Sequence, residues 1–97
     1  RIFELGNTVV RLDELIVLVD GQNVELTAQE FDLLEVLIQN RNLALSRGKL
    51  LELAWGYDYI GGTRTVDVHI QKLRKKLNWD DYIKTIYKIG YRLEVPR

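Results

Sequence analysis

Between Arg64 and Leu77 the chain places Val66, Ile70, Leu73 and Leu77 at spacings of 4, 3 and 4. Only an α-helix gathers that spacing onto one face, because a helix turns once every ~3.6 residues. The opposite side then carries Arg64, Val68, Gln71, Lys72 and Lys75. Across the segment five cations (Arg64, Lys72, Arg74, Lys75 and Lys76) face a single acid, Asp67. A helix divided in this way must bury its stripe in a core and turn its cations outward. The rest of the fold has to supply the core and leave the cationic side open.

The remaining sequence is long enough for one such core. The chain has 97 residues, of which 46% are hydrophobic, the size and composition of a single globular domain. It has no Cys, which excludes a disulfide scaffold and a thiolate metal site and agrees with a cytoplasmic location. The longest apolar run, Leu15 to Val19, is five residues, so the segment contains no membrane span. The first residue is Arg1 rather than Met, which reads as a fragment of a longer protein. The formal charge is zero overall but unevenly placed. Residues 1–62 hold 5 basic and 10 acidic side chains, a net of −5, and residues 63–97 hold 9 and 4, a net of +5. A partner responds to the local field and not to the total, so the C-terminal third is the place to seek an anionic partner.

Ile2–Leu5, Thr8–Leu12, Leu15–Val19 and Val24–Leu26 read as four short strands of an antiparallel sheet, with turns at Gly6-Asn7 and Asp20-Gly21. Thr27-Ala28-Gln29-Glu30 is a capping box, and Phe31, Leu34, Leu37 and Ile38 continue it as an amphipathic helix to about Asn40. A second helix fits Ser46 to Trp55, with Ser46 as its cap, Leu50, Leu53 and Ala54 inward and Gly56 as its stop. Residues 57–62 form a loop, and Thr63 or Thr65 caps the third, basic helix. Ile83–Tyr87 and Tyr91–Val95 then alternate as a hairpin around a Lys88-Ile89-Gly90 turn. Gly90 permits that turn, and Ile89 points to the body of the domain. The order is α+β: an N-terminal four-stranded antiparallel sheet, three helices and a C-terminal hairpin. That is the layout of a winged helix-turn-helix, whose third helix enters the major groove of DNA and whose hairpin is the wing.

The side chains agree with that layout. Val68 is apolar yet lies among cations on the outward face, where a thymine methyl would give it a contact. Basic residues Lys84, Lys88 and Arg92 follow in the hairpin, and Arg47 and Trp55 bracket the preceding helix, whose N-terminus favours anions. Trp55 reads either as a core residue or as an indole N–H aimed at a phosphate. His69 is the single histidine and reads as a boundary residue, compatible with a phosphate hydrogen bond, since zinc or catalysis needs several convergent groups. The acid pairs Asp13-Glu14 and Asp80-Asp81 sit at turns and read as solvated charge. No phosphate-cradling glycine loop or nucleophile elbow is present, so no catalytic residue, cofactor site or metal site is expected.

LTAQEFDLLEVL (Leu26–Leu37), SRGKLLELAWG (Ser46–Gly56), RTVDVHIQKLRKKL (Arg64–Leu77) and IGYRL (Ile89–Leu93) together resemble the C-terminal effector domain of OmpR/PhoB-type response regulators, over essentially the whole chain. The resemblance implies sequence-specific binding of double-stranded DNA, transcription regulation, an upstream receiver domain, and pairing of two copies head to tail on direct repeats. It implies base contacts from Val68 and Lys72. It implies backbone contacts from Arg64, Thr65, His69, Gln71 and Arg74 around the third helix, from Arg47 and Trp55 at the second, and from Thr85 and Tyr91 in the wing. The loop Tyr57, Asp58, Tyr59, Ile60, Gly61 and Gly62 resembles the segment that touches RNA polymerase in some members. Three features depart from the family pattern. Lys72 stands where Arg is common, the turn with Trp79 is short, and Tyr87 stands where the wing often carries a minor-groove Arg. Tyr87 and Lys88 therefore read as backbone contacts, through a hydroxyl and a mobile charge. Two other readings are a membrane-anchored regulator that lacks a receiver and a winged helix that binds protein.

Overall fold

The computed structural model describes residues 1–96, and among them the chain forms seven strands and three α-helices. The strands β1 (Ile2–Leu5), β2 (Thr8–Arg11), β3 (Ile16–Val19) and β4 (Gln22–Asn23) make an antiparallel sheet in sequence order. Asp20 and Gly21 both take positive φ, 52° and 77°, as a two-residue turn matched to strand twist requires. That turn sets the register Val19↔Gln22 and places β4 at 22–23, so Val24–Leu26 is not the fourth strand. Only the Val24 amide continues the pairing, on the Val17 carbonyl, before the chain leaves for the first helix. Between β2 and β3 a 3-10 turn at Leu12–Glu14 ends on Leu15 in the left-handed region, so Leu15 is outside the strand expected of it.

Helix α1 (Ala28–Gln39) begins with the expected capping box: the Glu30 amide donates to Thr27 Oγ1 at 3.1 Å, and Thr27 N donates to Glu30 Oε1 at 2.8 Å. The Glu30 carboxylate is buried, and Lys76 Nζ from the third helix donates to it at 2.6 Å. Helix α2 (Arg47–Trp55) starts at Ser46, whose hydroxyl accepts from the Lys49 amide, and it ends at Gly56. Its buried residue is Leu50, with Leu51, Ala54 and Trp55 packed at the edge of the core. Leu53 points outward instead, 43% exposed, because it lies at the edge of the apolar arc whose other members Leu50, Leu51 and Ala54 pack on the core.

Helix α3 (Arg64–Leu77) buries the whole stripe Val66, Ile70, Leu73 and Leu77. Thr63 occupies its N-cap position but is itself helical and makes no side-chain cap, and Thr65 lies inside the helix. Asn78 closes the helix in a left-handed conformation, the alternative to glycine at that position. Trp79 then turns into the core, and its Nε1 donates to Thr8 Oγ1 at 3.1 Å, fastening the end of α3 to the first sheet.

The hairpin β6 (Ile83–Ile86) and β7 (Gly90–Leu93) is shorter than its apolar alternation indicates. Its turn is Tyr87-Lys88-Ile89, with Lys88 at φ 61°. Gly90 is a strand residue and not the turn glycine. A two-residue strand β5 (Leu45–Ser46), immediately before α2, pairs with β7 on the side away from β6. A Cβ on Gly90 would lie 2.0 Å from the Leu45 carbonyl oxygen, so only glycine admits β5. Ile89 is 51% exposed and does not point to the body, because it stands beyond the last paired residue of the wing.

Candidate nucleic-acid interface

The outward side of α3 carries Arg64, Val68, Gln71, Lys72 and Lys75, all exposed. Val68 is 44% exposed, one helical turn from Lys72, opposite the buried stripe. The strip is flanked by the start of α2 on one side and by the wing on the other. Arg74, Lys75 and Lys76 lie in the last turn, where their charge also complements the helix C-terminus.

The flanking side chains are not all free. Arg74, expected on a phosphate, is a clamp between α3 and β6. Its Nε and Nη2 donate to the Ile83 carbonyl at 3.0 and 2.6 Å, Nη2 to Thr85 Oγ1 at 2.9 Å, and Nη1 to Gln71 Oε1 at 3.2 Å. Four of the five guanidinium donors are thereby used within the fold. Thr85 and Gln71, also expected on the backbone of DNA, are exposed but tied to this clamp. Tyr91 lies inward for a wing contact, at 5% exposure, with the guanidinium carbons of Arg47 and Arg74 5.0 and 5.5 Å from its ring centre.

Asp67, to which sequence reasoning gave no role, joins these parts. Its Oδ1 accepts from Arg47 Nε at 2.7 Å and from the Tyr91 hydroxyl at 2.5 Å. Burial would raise its pKa, but the bonds from Tyr91 and Arg47 and the charges of Arg47 and Arg64 outweigh that and hold the carboxyl below its ordinary range. Burial and the bond to Asp67 push the Tyr91 phenol up. The one signal in the sequence was a lone acid in an otherwise cationic helix.

Thr65, His69 and Trp55 form a second, half-buried group. The His69 Nδ1 lies 2.8 Å from the Thr65 carbonyl oxygen, which can only accept, so Nδ1 carries the proton. The Trp55 and His69 rings meet edge to face, 5.1 Å between centres, and Tyr59 meets Trp55 at 6.4 Å. Trp55 thus packs partly against the core, as one of its two readings expects, and its ring also meets His69 and Tyr59. Beyond it the loop runs open, with Tyr57, Asp58, Tyr59, Gly61 and Gly62 exposed and Ile60 at 95%. At the wing tip Tyr87 is 83% exposed, and the Lys88 ammonium lies 5.4 Å from the centre of its ring.

Among the described residues no group of three or more His, Cys, Asp or Glu could hold a metal ion, and no helix is long and apolar enough to cross a membrane. What the surface offers is a cationic strip with one apolar residue, framed by amide and hydroxyl donors. That is a surface for an extended polyanion.

The family described as "Transcriptional regulatory protein, C terminal" matches residues 21–93. The sensory transduction protein RegX3 of Mycolicibacterium smegmatis is 38% identical over 97 positions, covering 96% of this chain and 42% of that protein. The chain therefore spans less than half the length of this relative. Response regulator DrrB of Thermotoga maritima, described as an OmpR/PhoB homolog, superposes with a TM-score of 0.85 at 30% identity, over 96% of this chain and 44% of that one. The RstA DNA-binding domain of Klebsiella pneumoniae, solved in complex with the RstA box, superposes with a TM-score of 0.82 at 32% identity, over 97% of each chain.

Proposed function

Because the chain belongs to the transcriptional regulatory protein C-terminal family, the DNA-binding output domains of OmpR/PhoB-type response regulators, we propose that it binds duplex DNA sequence-specifically through the outward strip of α3. The observation that carries this reading is the placement of Val68 and Lys72 one turn apart on the exposed side of a helix whose other side is wholly buried. A helix fits the major groove, which is about 12 Å wide. Lys72 there donates to guanine O6 and N7, and Val68 packs on a thymine methyl. Arg64, Lys75 and the η nitrogens of Arg47 hold phosphates. His69, with Nδ1–H spent on Thr65, donates from Nε2 to the same backbone only as the doubly protonated imidazolium, and Thr65 and Trp55 line that edge. In the wing, Tyr87 and Lys88 meet phosphate or sugar. Arg74, Gln71, Thr85 and Tyr91 serve DNA binding mainly by fixing the wing against α3.

The whole protein extends this reading. A receiver domain upstream, pairing of two copies on direct repeats, a cytoplasmic location and contact of the open loop Tyr57–Gly62 with RNA polymerase all fit a response regulator. The exposed Tyr57 and Ile60 support the last of these, since a loop that only connected two helices would gain nothing from apolar side chains in water.

A selection of binding sites from random duplexes, repeated with two variants, tests the assignment. Lys72→Ala should lose about 1–3 kcal/mol on the selected site and relax the preference at one or two positions. Arg74→Ala should weaken all sequences alike and also lower folding stability by about 1–3 kcal/mol, because the Ile83 carbonyl loses its partner. If Lys72→Ala leaves the sequence preference untouched, Lys72 does not read bases.

A further inference from the structure

An acid on a surface that meets DNA ordinarily opposes binding, since it repels phosphate and cancels a neighbouring cation. Asp67 stands in the first turn of α3, between the exposed Arg64 and Val68, and its side chain is 40% accessible. Yet it touches two groups that belong to other elements. Arg47 is the first residue of α2, and Tyr91 lies in the central strand of the three-stranded sheet. Both donate to the same oxygen, Oδ1. Arg47 uses Nε for this bond, and among the described residues its two η nitrogens make no hydrogen bond. The guanidinium is planar, so fixing Nε, with the guanidinium carbon held over the Tyr91 ring, also fixes the direction in which the η nitrogens point.

We propose that Asp67 is a positioning residue for DNA binding: it holds Arg47 by Nε so that the η face is presented to a backbone phosphate beside the N-terminus of α2. The inference rests on the reading of α3 as the DNA-binding helix. Its physical basis is preorganisation. A free arginine must give up rotamer freedom on binding, whereas this one is already held before DNA arrives. The carboxylate keeps its repulsion small, because its charge is spent on Arg47 and one of its oxygens, Oδ1, is occupied by two donors.

The test measures affinity for a duplex selected by the wild-type domain, at several salt concentrations and at a temperature where circular dichroism shows every variant folded. If Asp67 were only an acid near DNA, Asp67→Asn and Asp67→Ala would both bind more tightly than the wild type. Positioning reverses the order: Asp67→Asn, which keeps an acceptor, should bind about threefold more weakly, and Asp67→Ala about tenfold more weakly. The magnitude of the slope of log K against log salt should fall by about 1 in Asp67→Ala and by the same amount in Arg47→Ala, as one phosphate contact is lost. In the Arg47→Ala background, adding Asp67→Ala should change affinity less than about twofold, since the two act through one contact. A purely structural role for Asp67 would leave the salt slope unchanged and would add to the loss from Arg47→Ala. Either that result or tighter binding by the Asp67 variants overturns the proposal and leaves the DNA-binding reading standing. A wild-type domain that binds no duplex overturns both.

Discussion

Gly90 shows how much can depend on one side chain that is missing. The sequence places it beside a turn, where glycine is expected for its left-handed freedom. The turn instead uses Lys88 at φ 61°, and Gly90 is needed because the Leu45 carbonyl approaches within 2.0 Å of where its Cβ would be. Gly90→Ala must therefore push β5 off β7, and β5 leads directly into Ser46, the cap of α2. The expected cost in urea denaturation is about 2–4 kcal/mol, at or above the usual range for overpacking because the obstacle is backbone and cannot rotate away. A neutral Gly90→Ala would mean that β5 does not pair as described. Residues differ in how plainly sequence reports them. Val68 was legible because an apolar side chain among cations is anomalous in any helix. Arg74 was not, because a guanidinium is equally suited to a phosphate and to a backbone carbonyl, and only the approach of Ile83 decides.

Among the elements, those with a long period are the ones sequence reveals. Fourteen residues of α3 repeat the helical spacing three times, and the capping box marks the start of α1 by two reciprocal bonds. The two-residue strands β4 and β5 have no period at all, and their positions follow from the 20–21 turn and from Gly90. Helix α2 has a broad apolar arc from Leu53 round to Trp55, so the part of it that packs is chosen by α1, α3 and β5 and not by its own pattern. The link between α1 and α3 makes a further prediction. Burial would raise the Glu30 carboxyl, but Lys76 and the Thr27 amide outweigh it and hold it below its usual value. A carboxylate with a depressed folded pKa stabilises the fold above its unfolded pKa, and that contribution is lost as the pH falls through the folded value. The domain should accordingly hold its stability at neutral pH and lose part of it below about pH 4.5. Glu30→Gln should cost about 1–3 kcal/mol at pH 7, below the roughly 3–5 kcal/mol for breaking a fully buried pair because Lys76 can still reach water. It should also flatten the acid limb of a pH–stability profile. An acid limb as steep as in the wild type would remove the Glu30–Lys76 pair from the account.

At the scale of the molecule, the even overall charge conceals a division that matches the fold. The N-terminal sheet and α1 carry the excess of acid, and α2, α3 and the wing carry the excess of base. Packing the first group behind the second turns a neutral chain into one with a cationic face, which is how a domain of net charge zero can be drawn to DNA. The central claim, that this face binds the phosphate backbone while α3 reads bases, is tested most directly by measuring the affinity for a selected duplex as salt is varied. Arg64, Lys75, Arg47 and Lys88 would neutralise about four phosphates, so log K should fall against log salt with a slope of about −4. The selected duplex should also bind about a thousandfold more tightly than random sequence. A flat salt response, or no enriched sequence after selection at low salt, would contradict it.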